Sequence, residues 1–220
     1  MSKFMAQALS VIFHPLLMLT YMLILLLIVN PYLFGVNNIA ESKQLIVRVF
    51  ITTFVLPAFA IFIMRKLDMI GSFEMRDKQD RIGPFIATGV FYVWVFRSVL
   101  YDSNMPSAFL IAALGTTIGL FAAFFINLFF KISLHATGLG GFVAMMLITI
   151  WLYSYRTLSV TLPFLGACQI SINVLLMVSI FFAGLVGSVR LWLGAHSSIE
   201  IYSGFLLGLI SQFIALQIYI

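Results

Sequence analysis

Three short polar stretches hold the residues that could do chemistry, and the strongest is Arg190-Leu-Trp-Leu-Gly-Ala-His196-Ser-Ser-Ile-Glu200. It sets a cation, an imidazole and a carboxylate at one point of an otherwise apolar chain. Charged groups near hydrocarbon are expensive, about 2.5–3.5 kcal/mol each at a helix centre, so their presence calls for a purpose. His196 and Glu200 are four residues apart and share one face of a helix. A carboxylate bonded to one ring nitrogen fixes the tautomer and leaves the other nitrogen free to attack. Arg190 can hold a phosphate in two-pronged geometry. Together these groups suit phosphoryl transfer; the plain structural alternative is an interfacial His and Glu that snorkel to water.

The second stretch is Lys131-Ile-Ser-Leu-His135-Ala-Thr-Gly. A histidine at a helix mouth can protonate a leaving oxygen. Ser133 and the first backbone N–H groups of the helix can face an anion. The third is Glu74-Met-Arg76-Asp-Lys78-Gln-Asp-Arg81-Ile-Gly-Pro84, which by itself is a solvated loop.

The elements that must position these residues are membrane spans. Of 220 residues, 63% are hydrophobic and 9% charged, with a mean hydropathy of +1.14. A soluble domain carries about 25% charged residues, so the composition predicts an integral membrane protein in one domain over residues 1–220. Seven apolar runs have spanning length: Val11–Val29, Leu45–Met64, Phe85–Tyr101, Ala108–Phe130, Leu139–Tyr155, Leu162–Gly187 and Ile201–Ile220. They are continuous rather than alternating, which predicts an all-α polytopic bundle of six to seven transmembrane helices and not a barrel. Lys3 precedes the first run, and no small-residue cleavage site follows it, so the run is expected to be a retained span rather than a signal peptide. Arg97 is expected to snorkel from the end of the third run. Gly115-x-x-x-Gly119 and Gly204-x-x-x-Gly208 are expected to be close-packing sites. Gln169, Ser171 and Asn173 are expected to bond between helices at the start of the sixth span, and the single cysteine, Cys168, to be a small buried apolar residue. The net charge of +5 is scattered between spans, which disfavours nucleic acid as a partner and favours the lipid bilayer.

Parity then relates the clusters. Two spans separate the first from the second, and two more separate the second from the third. An even number of crossings returns the chain to the same face, so all three can meet at one membrane surface. His14, at the start of the first span, falls on that side too and is expected to be an interfacial residue.

In order and rough spacing these stretches resemble the motifs of the type 2 phosphatidic acid phosphatase superfamily: Lys-x6-Arg-Pro, Pro-Ser-Gly-His and Ser-Arg-x5-His-x3-Asp. The third motif is matched by Arg190-x5-His196-x3-Glu200 and the second by Ile132-Ser133-Leu134-His135. Glu200 replaces Asp, Leu134 replaces Gly, and Ser188 stands one residue further from Arg190. Arg81 is parted from Pro84 by Ile82 and Gly83, and Glu74 stands seven residues before it, so Arg76 or Lys78 must supply the other cation. The family's helical core commonly has six members. The resemblance implies a metal-independent, cofactor-free lipid phosphate phosphatase. In it His196 attacks phosphorus, Glu200 orients it, and His135 protonates the leaving alkoxide. Arg81, Arg190, Ser133 and one of Arg76 or Lys78 hold the phosphoryl oxygens. The implied substrate is a membrane lipid phosphate; the implied location is a bacterial inner membrane with the site on the extracytoplasmic face. The charge balance of the loops gives no direction once the cations that would face phosphate are set aside. Three other functions fit the same residues: a lipid head-group phosphotransferase, a transporter with polar groups at mid-membrane, and a zinc enzyme using His196, Glu200 and His135.

Overall fold

The structure is a computed structural model that describes residues 2–73, 75, 77, 79–154, 157–162 and 166–220. Glu74, Arg76, Lys78 and Arg156 lie outside the described residues.

The chain is an all-α polytopic membrane bundle. Seven helical segments among the described residues are long and apolar enough to cross a bilayer. The helices are α1 Lys3–Ile12, α2 Met18–Val29, α3 Lys43–Phe50, α4 Leu56–Lys66, α5 Ile82–Leu100, α6 Ser107–Phe129, α7 Leu134–Leu152, α8 Ile172–Trp192 and α9 Ser198–Tyr219. A two-stranded antiparallel hairpin, β1 Thr157–Leu162 and β2 Gly166–Ser171, joins α7 to α8.

Each break has a local cause. Pro15 ends helical bonding after α1 and opens a 3₁₀ turn over Pro15–Leu17, from which α2 starts, so the first span is two helices in tandem. In the second span α3 passes to α4 through a π-helical turn at Ile51–Val55. Pro57 has no N–H to offer the carbonyl of Thr53, and the wide turn absorbs that missing bond. Thr53 donates its hydroxyl to the Val49 carbonyl at 2.9 Å and accepts from the Thr20 hydroxyl at 3.3 Å, joining the first two spans inside the bundle.

The core lies between α2, α6 and α7, where Leu19, Leu23, Phe109, Ile111, Met145 and Ile148 are almost wholly buried. Lipid tails are as apolar as leucine, so tight backbone approach, not burial from water, holds such helices together. The closest approach is between α7 and α9. A Cβ on Gly204 would stand 2.7 Å from the Ser133 carbonyl oxygen, and one on Gly208 would collide with the Thr137 carbonyl. Large apolar side chains such as Phe59, Trp94, Phe125 and Phe181 are exposed around the outside, as a lipid-facing surface requires.

The two ends of the bundle differ. At one end Arg48 pairs with Asp102 at 3.5 Å and Asn30 donates to the Tyr153 carbonyl at 3.3 Å. Arg81, Lys131, His135, Arg190 and His196, drawn from the three polar clusters, gather at the other end. Arg97 is exposed and lies 4.8 Å from the Tyr101 ring, at the end of its helix.

Several sequence expectations about boundaries need correction. α1 lies before the first apolar run and was not expected as an element. α7 starts at Leu134 and not at Leu139, because Ser133 caps it with a side chain that accepts from the Ala136 N–H. The sixth span starts at Ile172 and not at Leu162, because the β-branched stretch before it forms the hairpin. Gln169 and Ser171 therefore stand on β2, and Ser171 caps α8 through the Asn173 N–H at 3.3 Å instead of bonding between helices. Cys168 is likewise on β2.

Candidate functional site

The Arg190–Glu200 stretch is the turn between α8 and α9. Arg190 ends α8, and Gly194 adopts a left-handed φ of +64° that reverses the chain. The N–H of Ala195 closes the turn onto the Arg190 carbonyl at 3.1 Å. Ser197 then caps α9 by accepting the N–H of Glu200 at 3.4 Å. Helical geometry from there carries the Glu200 carboxylate back over His196, whose Nδ1–H donates to Glu200 Oε2 at 2.6 Å. The ring is 4% exposed and the carboxylate 22%.

The protonation state of His196 follows from its surroundings. Burial pushes its pKa down from 6.5 to about 4; the Glu200 hydrogen bond opposes this, while Arg190 and Lys131 add to it. At neutral pH the ring is therefore uncharged, with hydrogen on Nδ1 and a lone pair on Nε2. A buried imidazole whose Nδ1–H is held by a carboxylate has the form of an activated nucleophile or base.

His135 is in the first turn of α7. Its Nε2 lies 3.0 Å from the carbonyl oxygen of Ser10, near the end of α1. That carbonyl is among the last of the helix, which lack an intrahelical partner. A carbonyl only accepts, so Nε2 carries hydrogen and Nδ1 is the nitrogen left for chemistry. The arrangement suits both the neutral ring and the imidazolium, since protonation at Nδ1 leaves the Ser10 bond intact.

Arg81 opens α5. Its Nε donates to the Met75 carbonyl at 2.9 Å and its Nη1 to the Ile132 carbonyl at 3.3 Å. These bonds lock the guanidinium against the segment before α7. Lys131 Nζ donates to the Ala195 carbonyl at 2.9 Å, and the Ser133 N–H donates to the Glu200 carbonyl at 3.1 Å. Each of the three clusters is thus bonded to another, across 51 to 67 residues of sequence.

Arg81, Lys131, His135, Arg190 and His196 line one cavity of about 890 Å³. Its other walls combine apolar residues, Leu16, Ile61, Phe85 and Leu120 among them, with polar ones such as Thr88 and Thr116. That combination of apolar walls and a few convergent polar groups characterises small-molecule sites.

The sequence-predicted residues fall into three groups. Arg81, His135, Arg190 and His196 line the cavity, and Glu200 reaches it through His196. Ser133 does not line it: the residue is fully buried, with its hydroxyl on the Ala136 N–H as the cap of α7. Arg76 and Lys78 lie outside the described residues. His14 was expected at the interface but lines the cavity, with its ring centroid 5.6 Å from that of His135. Lys3 and Gln7 line it as well. The only signal for these was spacing, since positions 3, 7 and 14 share one helical face. Among the described residues no three His, Cys, Asp or Glu side chains gather as metal ligands would.

Fold and site together define a seven-span membrane bundle with a buried histidine–carboxylate pair among cations at one end. Compared with family models, curated proteins and solved structures, the chain has no significant match.

Proposed function

We propose that this protein is a membrane lipid phosphate phosphatase that works through a phosphohistidine. The observation that carries the reading is the convergence of Arg81, His135, Arg190 and the His196–Glu200 pair on one cavity from three distant stretches. In the first step His196 Nε2 forms a bond to phosphorus as the P–O ester bond breaks, and the electron pair leaves on the alkoxide. His135 gives that oxygen a proton from Nδ1 and keeps its Nε2–H on Ser10. Glu200 balances the positive charge that grows on the His196 ring. Arg81 and Arg190 neutralise the phosphoryl oxygens, and by the motif resemblance one of Arg76 or Lys78 joins them. Water then attacks phosphorus, its proton passes to His135, and the N–P bond breaks to free inorganic phosphate.

A lipid substrate suits the site because the ionisable groups gather at one end of the bundle and the cavity they line also has apolar walls, Leu16, Ile61, Phe85 and Leu120 among them. A head group can enter while its tail stays among the spans. We place the protein in a bacterial inner membrane with the site on the extracytoplasmic face. The test is phosphate release from a panel of lipid phosphates in detergent, with and without an alcohol acceptor, a chelator and orthovanadate. Hydrolysis that resists chelator and is blocked by vanadate supports the proposal. Transfer to the alcohol with little free phosphate identifies a phosphotransferase using the same residues. Activity abolished by chelator identifies a metal enzyme, and an intact protein inactive on every lipid phosphate overturns the proposal.

A further inference from the structure

Gln212 of α9 carries a buried polar atom that the packing of the helices does not satisfy. The residue is 3% exposed, and among the described residues no hydrogen-bond donor meets its Oε1. Its neighbours on α6 fix the orientation of the amide. Nε2 donates to the Ala112 carbonyl at 3.5 Å and to Thr116 Oγ1 at 3.4 Å. A carbonyl only accepts, and the Thr116 hydroxyl spends its own proton on the Ala112 carbonyl at 2.7 Å. The nitrogen must therefore face this pair. Oε1 then lies over Gly115, where a Cβ would collide with it. An acceptor stranded inside a membrane bundle is costly, because no bulk water reaches it.

Beside the amide is a cavity of about 40 Å³, walled by α2, α6, α7 and α9. Gly115 and Gly119 of α6, Gly138 and Gly141 of α7 and Gly208 of α9 line it together with Gln212. A stripe of small residues is by itself a packing device; here it also leaves bare backbone around an unpaired oxygen. The open spot is next to Gly141. A Cβ built there would meet nothing nearer than 3.6 Å, and both the Gly208 carbonyl oxygen and Gln212 Nε2 stand at that distance. A carbonyl has two lone pairs, so one already bonded along its helix can accept again. A water needs about 10–15 Å³ and at least two polar partners, and the cavity supplies both. Thr116, Thr137 and Gly138 also line the larger cavity, so the two are neighbours and water has a way in.

We propose that this inner cavity is a binding site for a buried water that donates one hydrogen to Gln212 Oε1 and the other to the Gly208 carbonyl. The amide nitrogen ties α9 to α6, and the water seats the amide oxygen against the bare backbone of α7. Glu200, Gly204, Gly208 and Gln212 stand four residues apart on one row of α9. The water thus secures the far end of the row that presents Glu200 to His196. The site is independent of the catalytic assignment.

The experiment is a thermal-unfolding cycle on the full-length protein in detergent, with Gly141→Ala, Gln212→Met and the double variant. Gln212→Met keeps the length of the side chain and removes both polar atoms, so the cavity becomes dry. In that background the added methyl fills space and replaces a helical glycine, and Tm should rise by about 2–4 °C. In the wild type the same methyl expels the water and strands Oε1, so the rise should vanish or turn into a fall. An equal rise in both backgrounds overturns the site. A crystal or cryo-EM map of the wild type that shows other buried waters decides the matter even where Gln212→Met fails to fold. Density within hydrogen-bond reach of Gln212 Oε1 and the Gly208 carbonyl supports the water. No density there, or density ringed by oxygens at the short distances of a bound cation, overturns it.

Discussion

Replacing Glu200 by Gln separates the charge of the carboxylate from its shape. The 2.6 Å bond from His196 Nδ1–H to Oε2 is charge-assisted, a class worth about 1.5–3 kcal/mol when made to an ionised group. Glu200 is 22% exposed, so the lower part of that range applies. A glutamine oxygen can still accept from Nδ1–H and keep the tautomer, so what is lost is stabilisation of the growing charge on the ring. At 1.36 kcal/mol per decade, kcat should fall by about 10- to 40-fold. The main chain at residue 200 is bonded independently, its N–H to Ser197 Oγ and its carbonyl to the Ser133 N–H, so the fold should be retained. The assay is phosphate release in detergent across a pH series. With the His196 pKa at about 4, kcat/KM should fall on acidification with a midpoint near that value. The Glu200 bond raises this pKa, so Glu200→Gln should move the acid limb lower still. A kcat within threefold of wild type, or an acid limb that moves upward, refutes the assigned role.

Three further outcomes follow from the contacts. Arg81→Lys cannot keep both the Met75 and Ile132 carbonyl bonds and should lower kcat/KM by about 10²–10³, as loss of a fixed electrostatic donor does; a loss under threefold contradicts the lock. Gly204→Ala places a methyl 2.7 Å from the Ser133 carbonyl and should cost about 1–3 kcal/mol, seen as a lower Tm with reduced activity; an unchanged Tm contradicts the close α7–α9 approach. Stability should also decline as pH falls from 6.5 towards 4, because the unfolded chain binds a proton at His196 that the folded chain does not; Tm values that rise on acidification through this window contradict the buried neutral ring.

The candidate site residues were legible because ionisable residues are conspicuous in an apolar chain. His196 and Glu200 declared their contact through i, i+4 spacing, and counting spans placed all three clusters at one end of the bundle. What the sequence hid was geometry that apolar runs do not encode. α7 begins after a serine cap six residues before its apolar stretch, which puts His135 inside the helix. The same cap consumes the Ser133 hydroxyl, so a motif serine serves the helix instead of the cavity. α1 mixes Lys3, Gln7 and Ser10 with apolar residues and fails a search for continuous hydrophobicity, so His14 looked solitary. The hairpin was read as the start of a span because its residues are β-branched and apolar, which composition alone cannot distinguish from a buried helix segment.

The proposed function rests on covalent phosphorylation of His196. The direct measurement is an alkaline quench of the purified protein during turnover of a lipid phosphate labelled at phosphorus, followed by mapping of the labelled peptide, since phosphohistidine survives base and is lost in acid. Label is expected on His196 in the wild type and none is expected in His196→Ala. Steady hydrolysis with no label on His196, or hydrolysis that persists in folded His196→Ala, would contradict it.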